Sequence, residues 1–239
     1  MAMYKKVGII CALEREAQLL IGSMTEKSEE TISGMLFTRG IIENVETVVA
    51  ICGVGKIFAA MCTEAMILKY APECIINSGV AGAPSDILDI GDIAIASSLV
   101  QHDMDTTGMG DPLGLISGIG IINVPCTEKL IPILEECISE QNIHHKTGVI
   151  ASGDEFIHTQ EKRSFLAGHF KAIACEMESV AIGLTCYVNG VDFGIIRSIS
   201  DNGNEQATLD FPKFVEDAAD KAAVISVSFL RKVGENTSC

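Results

Sequence analysis

The chain has 239 residues, 48% of them hydrophobic, and a formal charge of −15. That length suits one compact domain over 1–239 with a full core, and the apolar fraction excludes a disordered chain. The acidic balance argues against nucleic acid or an anionic membrane as partner, since both draw on clustered Lys and Arg.

The opening MAMYKK runs straight into the strand-like KVGIICA rather than into a cleavable signal peptide. No apolar run reaches the ~18–20 residues that span a bilayer, so a soluble, cytoplasmic protein is expected. Nine cysteines, without C-x-x-C spacing and mostly in apolar stretches, read as buried reduced thiols rather than disulfides or zinc ligands.

In chain order, the first apolar, β-branched run predicts a strand at 6–12, followed by a helix at 14–24. A hairpin-like pair at 35–39 and 46–52 comes next, then a helix at 57–70 and strands at 74–78 and 91–97. Residues 101–126 are irregular and rich in Gly, Asp and Pro; a loop of that length is usually functional, and it is expected to border the site. A helix at 127–140, a strand at 147–152, a helix at 160–168, a strand at 172–175 and a helix at 177–188 follow. The last pair is a strand at 192–199 and a helix at 211–232, whose Phe214, Ala218, Ala222, Ile225 and Phe229 fall on one stripe. Such alternation predicts an α/β fold, and the early hairpin predicts a mixed sheet.

Two motifs carry less than they promise. Gly53-Val54-Gly55-Lys56 fails as a phosphate loop, because the first glycine of that motif would fall on Ala50 and no Ser or Thr follows Lys56. A tight turn opening the next helix is the plainer reading. His102-Asp103-Met104-Asp105 has no matching second ligand set, and Asp-x-Asp in a loop is commonly turn chemistry, so no metal is expected.

Five segments place polar residues at strand ends, where ligands gather in open α/β sheets. In VGIICALEREA, Glu16 lies in the opening turn of a helix. INSGVAG, residues 76–82, offers two glycines and backbone N–H donors. IASGDEFI leaves its strand through Gly153 to Phe156 and Ile157. CEMESVAI carries Glu176 and Glu178, and FGIIRSISD ends in Arg197, Ser200 and Asp201.

Together, the E-M-E segment, the R-x-I-S-D strand end and the S-G-D-x-F-I segment resemble the nucleoside phosphorylase and nucleosidase superfamily. Within it, the chain resembles the 5′-methylthioadenosine/S-adenosylhomocysteine nucleosidases from residue 7 to about 232. The resemblance implies a three-layer α/β/α fold around a mixed, mostly parallel central sheet, a homodimer, no cofactor, and an adenine nucleoside as the small-molecule partner. It implies that Asp201 protonates purine N7 and that Glu16, with Arg197 nearby, positions the attacking water. Glu178, helped by Glu176, would hold the ribose hydroxyls while Met177 packs on the sugar. Phe156 would stack on adenine and the Ile157 backbone would meet its Watson–Crick edge. Val80, Ala81, Gly82 and Ser200 would line the site, with Leu13, Met109 and Phe211 at the 5′-substituent.

The chemistry agrees with those roles. Glycosidic cleavage develops positive charge on the sugar and negative charge on the base, so a protonated acid at the base and carboxylates near the sugar oppose both. The alternatives are a phosphorylase, which needs cations where Glu16 would repel phosphate, and a non-catalytic nucleoside-binding module. Two features depart from the resemblance: Val80 stands where a serine is common, and Met109 and Asp111 replace aromatic residues near the 5′-group. The ranking of methylthio, homocysteinyl and 5′-deoxy substrates therefore stays open.

Overall fold

The computed structural model describes residues 3–235. Its elements run β1 (Lys6–Cys11), α1 (Glu14–Ser23), β2 (Thr25–Ile32), β3 (Met35–Ile42), β4 (Val45–Ile51), α2 (Lys56–Tyr70), β5 (Cys74–Gly82), β6 (Ile93–Gln101) and β7 (Asn123–Pro125). They continue through α3 (Ile131–Ser139), β8 (His145–Ser152), α4 (Gln160–His169), β9 (Ala172–Glu176), α5 (Ser179–Asn189), β10 (Asp192–Asp201) and α6 (Ala207–Glu235).

The residues of β1 show how the layers arise. Side chains alternate between the faces of a strand. Val7, Ile9 and Cys11 enter one core with Ala17 and Leu20 of α1 and Phe229 and Leu230 of α6. Ile10 enters the other with Ala59, Cys62 and Met66 of α2 and Val180 and Ile182 of α5. Gly8 permits that second layer, since a Cβ there would lie 2.3 Å from the Met66 sulfur. Helices thus cover both faces of a mixed sheet, as expected of an α/β/α fold. The eight cysteines among the described residues are unpaired and buried.

The sheet is partly closed. β1 lies parallel between β4 and β5, and β3 and β2 extend from β4 as an antiparallel meander. On the far side, β5 pairs parallel with β10, β10 antiparallel with β6, β6 parallel with β8, and β8 parallel with β9. A Gly82–Cys175 pairing returns β9 to β5 and closes a five-stranded ring. The carboxyl ends of β1, β5 and β10 therefore meet those of β8 and β9. That junction is where the polar strand ends converge.

Several boundaries differ from expectation for identifiable reasons. β2, TEKSEETI, is an exposed edge strand whose charges leave no apolar alternation to read. β5 and β10 run on to Gly82 and Asp201, through polar residues that are nonetheless buried. α6 begins at Ala207 and carries Pro212 inside it, whereas proline usually marks a first helical turn. α3 begins only at Ile131, after a 3₁₀ turn at Glu128–Leu130.

Candidate active site

Glu16 is placed by the turn from β1 into α1. It occupies the third helical position, and its carboxylate folds back onto the backbone N–H groups of Ala12 and Leu13, both at 2.8 Å. Reaching back to the helix cap in this way satisfies donors that a helix start leaves free. The other carboxylate oxygen accepts the Val80 N–H at 3.1 Å. Glu16 is 2% exposed. Burial pushes its carboxyl upward, against the pull of Arg197 and of these backbone donors.

Arg197, from β10, is 1% exposed and engaged on nearly every side. Its Nη2 donates to Glu176 at 2.5 Å, to Asn77 Oδ1 at 2.6 Å and to the Ser179 hydroxyl at 3.0 Å, while Nη1 donates to the Val80 carbonyl at 3.2 Å. Burial opposes the charge, but the carboxylates of Glu176, Glu178 and Glu16 outweigh it and hold the guanidinium protonated. Glu176 in turn accepts the Glu178 and Ser179 N–H groups at 2.9 and 2.8 Å, where α5 begins, and the Ser152 hydroxyl. Glu178 accepts the Gly55 N–H at 2.8 Å. Burial, reinforced by the neighbouring Glu176 charge, pushes Glu178 up to about 7.

Asp201 sits at the far end of β10, where the register with β5 shifts between Ile199 and Asp201. Bulges of this kind re-aim side chains beside sites. Its carboxyl takes the Ser200 hydroxyl at 3.0 Å and the Gly203 N–H at 2.9 Å. Burial raises its pKa; the Gly203 and Ser200 bonds oppose this, and the Asp210 charge adds to it. Arg197 makes no bond to Asp201.

The glycines of INSGVAG make room for these groups. A Cβ on Gly79 would fall 2.6 Å from Arg197 Nη1 and 2.7 Å from Glu16 Oε1. One on Gly82 would fall 2.8 Å from Asp201 Oδ1. The close approach is to protein side chains, and the Val80 N–H is already given to Glu16. The Val80 isopropyl group lies in a small core with Val215, Ala218 and Ala219 of α6.

One open cavity of about 260 Å³ gathers nearly all the residues singled out in the sequence. Glu16, Arg197, Asp201, Glu176, Glu178, Met177, Phe156, Val80, Ala81, Gly82, Ser200, Leu13 and Phe211 line it. Ile157 lines an adjoining recess of about 30 Å³ together with Phe156 and Asp201. The Phe156 and Phe211 rings meet edge to face, centroids 5.8 Å apart.

Met109 is the exception. It is 78% exposed in a 3₁₀ turn and does not reach this cavity, and no residue of 101–126 lines it. The loop instead supports the site from outside. Asp103 pairs with Lys56 at 2.6 Å and accepts the Asp154 N–H at 2.9 Å, tying together the turns before α2 and after β8. Asp105 accepts from the Thr107 N–H and hydroxyl, and Asp111 accepts from the Thr106 hydroxyl. The turn reading of Gly53–Lys56 holds, since Gly53 and Gly55 take positive φ and α2 starts at Lys56.

Four contributors had no readable signal. Asn77 and Ser179 hold Arg197, Ser152 holds Glu176, and the Gly55 N–H holds Glu178. Each is a common residue whose role depends on which strand lies beside it. Arg15, adjacent to Glu16 on α1, also lines the cavity although the side chains of successive helical residues diverge.

A two-helix-layer fold with a carboxylate at each end of a strand-end cavity has known counterparts. The phosphorylase superfamily model matches residues 6–231. The chain belongs to the phosphorylase superfamily. It is 37% identical over 232 residues to the aminodeoxyfutalosine nucleosidase of Helicobacter pylori, covering 97% of this chain and 98% of that one. It is 36% identical over 228 residues to the 5′-methylthioadenosine/S-adenosylhomocysteine nucleosidase of Shewanella loihica, covering 95% and 99%. Among solved structures of the superfamily, the 5′-methylthioadenosine/S-adenosylhomocysteine nucleosidase of Neisseria meningitidis, in complex with methylthio-immucillin-A, superposes with a TM-score of 0.92 at 30% identity, covering 95% and 99%.

Proposed function

We propose that this protein is a single-domain nucleosidase that hydrolyses the N-glycosidic bond of 5′-methylthioadenosine and S-adenosylhomocysteine, releasing adenine. The observation that carries this reading is the separation of Asp201 from Arg197 within one cavity. Burial favours the protonated form of Asp201, and the cation that would oppose this is spent on Glu176. A proton donor is thereby available to purine N7, so that the base departs neutral.

The remaining roles follow from position. Phe156 stacks on adenine, with the Ile157 backbone at its polar edge. Glu178, with one oxygen on Gly55, receives the ribose hydroxyls. Glu176 has its oxygens occupied by protein donors, so its part is to hold Arg197 and the start of α5. Glu16, fixed by three backbone N–H groups, orients the water that attacks the anomeric carbon as positive charge develops there. Met177 packs on the sugar, and Leu13, Val54 and Phe211 surround the 5′-substituent. A phosphate dianion at that place would face the buried Glu16 carboxylate and the Val80 isopropyl group, with Arg197 already engaged by Glu176.

The reading extends to a homodimer in the cytoplasm. Ile57, Met61 and Leu68 make an exposed apolar stripe along α2, at 72%, 45% and 75% exposure, beside Val54 at the cavity mouth. Contiguous exposed apolar surface is typical of interaction sites. No helix among the described residues is long and apolar enough to cross a membrane.

The test is adenine release from 5′-methylthioadenosine and S-adenosylhomocysteine in phosphate-free buffer. Release is expected. Release only after phosphate is added would make the protein a phosphorylase, and tight binding without release in either buffer would make it a nucleoside-binding module.

A further inference from the structure

Among the described residues, every arginine but one pairs with a carboxylate. Arg39 pairs with Glu46 at 3.0 Å, Arg231 with Glu43 at 3.0 Å, Arg197 with Glu176 at 2.5 Å, and Arg163 with Asp86. Arg15 has no carboxylate partner among the described residues, in a protein of formal charge −15. Its neighbours three and four residues on along α1 are Gln18 and Leu19, neither of them acidic. A cation in the first turn of a helix also opposes the helix dipole. Arg15 is exposed on α1 and is among the residues that line the cavity.

The position within the cavity is set by the surrounding turns. Asp201 and Phe156 mark the base end, and Glu178, bonded to Gly55, marks the ribose. The Gly53 N–H donates to the Ala12 carbonyl at 3.1 Å, so the turn bearing Val54 is stitched to the turn that begins α1. Leu13 and Val54 therefore share the rim beyond the ribose, and Arg15, two residues on from Leu13, lines the same cavity. The apolar rim suits an alkyl or thioether chain, and Arg15 stands where such a chain would emerge. A guanidinium binds carboxylate with planar, charge-assisted hydrogen bonds.

We propose that Arg15 is a specificity-determining residue that recognises a carboxylate on the 5′-substituent of the nucleoside. The proposal rests on the nucleosidase reading and adds to it a preference, among 5′-substituted adenosines, for those whose 5′-chain ends in an anion. The local cation would offset the repulsion that the acidic surface imposes on such substrates.

A matched pair of substrates isolates the charge: 5′-S-(3-carboxypropyl)-5′-thioadenosine and 5′-S-butyl-5′-thioadenosine, of equal chain length. Adenine release is followed for the wild-type protein, Arg15→Gln and Arg15→Glu, with and without inorganic phosphate. The ratio of kcat/KM for the carboxylate over the butyl substrate is expected to fall roughly three- to tenfold in Arg15→Gln and further in Arg15→Glu. The change should lie in KM and shrink as salt is raised. An unchanged ratio in Arg15→Gln would overturn the proposal while leaving the nucleosidase reading intact. Phosphate-dependent release with Arg15→Gln raising the KM for phosphate would overturn both readings, making the protein a phosphorylase and assigning Arg15 to phosphate. No adenine from either substrate in either buffer would overturn the nucleosidase reading, and this proposal with it.

Discussion

Arg197 and Asp201 lie four residues apart on β10, yet the Arg197 guanidinium bonds Glu176 and leaves Asp201 to Ser200 and Gly203. An arginine beside an aspartate ordinarily favours the charged carboxylate. Here Glu176, Asn77 and Ser179 hold the guanidinium elsewhere, and burial sets the direction at Asp201.

Asp201→Asn should accordingly lower kcat by about 10²- to 10⁴-fold, the usual contribution of a general acid, with substrate binding retained. Because Asp201 acts in its protonated form and burial raises its pKa, wild-type kcat should fall as pH rises through that pKa. Steady-state rates and calorimetric binding of 5′-methylthioadenosine check both points. Near-normal turnover in the variant would assign the proton to another group.

The Arg197–Glu176 pair should matter to stability as well. Removing one partner of a buried pair costs about 3–5 kcal/mol, whereas an exposed pair contributes about 0–1 kcal/mol. Urea denaturation should show Glu176→Gln much less stable than wild type. Arg39→Gln, which breaks the exposed pair with Glu46, should change little. Equal effects in the two variants would mean that the buried network is not strained by the loss.

Glu178 supplies a pH signature of its own. A carboxyl whose pKa is raised on folding holds its proton more tightly in the folded state. Its stabilising contribution is complete below the ordinary value of 4.5 and is lost as pH rises through about 7. The melting temperature of the substrate-free protein should therefore drop across that window. Glu178→Gln should flatten the drop while weakening nucleoside binding. A melting profile identical in the variant would show that the drop arises at other groups.

Gly79→Ala introduces a methyl group between two anchored side chains, 2.6 Å from Arg197 Nη1 and 2.7 Å from Glu16 Oε1. Neither can withdraw without breaking the bonds described above. Overpacking of this kind costs about 1–3 kcal/mol, and activity should fall with the displacement of Glu16. The same change at Gly22, where a Cβ meets nothing within 4 Å on the exposed side of α1, should leave activity unaltered and stability no lower. Activity surviving intact in Gly79→Ala would show that the Glu16 carboxylate is free to shift.

Much of this architecture is legible in the residues. Ile9 and Ile10 announce a strand covered on both faces, and the stripe from Phe214 to Phe229 announces α6. The acids Glu16, Glu178 and Asp201 stand at strand ends or helix starts, where periodicity stops. The closing of β9 onto β5 is not legible, because it rests on the single Gly82–Cys175 pairing between distant segments. Nor are the partners of Arg197, since Asn77 and Ser179 become neighbours only when β5, β10 and α5 assemble. Met109 shows the converse: a sequence position suggested a wall of the cavity, and the 3₁₀ turn that carries it projects into solvent.

The choice of water over phosphate depends most directly on Glu16 and is read most directly in the sugar product. The protein is incubated with 5′-methylthioadenosine in buffer containing inorganic phosphate, and the reaction is followed by proton and phosphorus NMR. Free 5-methylthioribose should accumulate in step with adenine in the wild-type protein, with no new phosphate ester, and Glu16→Gln should lose most of that release. Appearance of 5-methylthioribose 1-phosphate as the product would contradict the hydrolytic assignment.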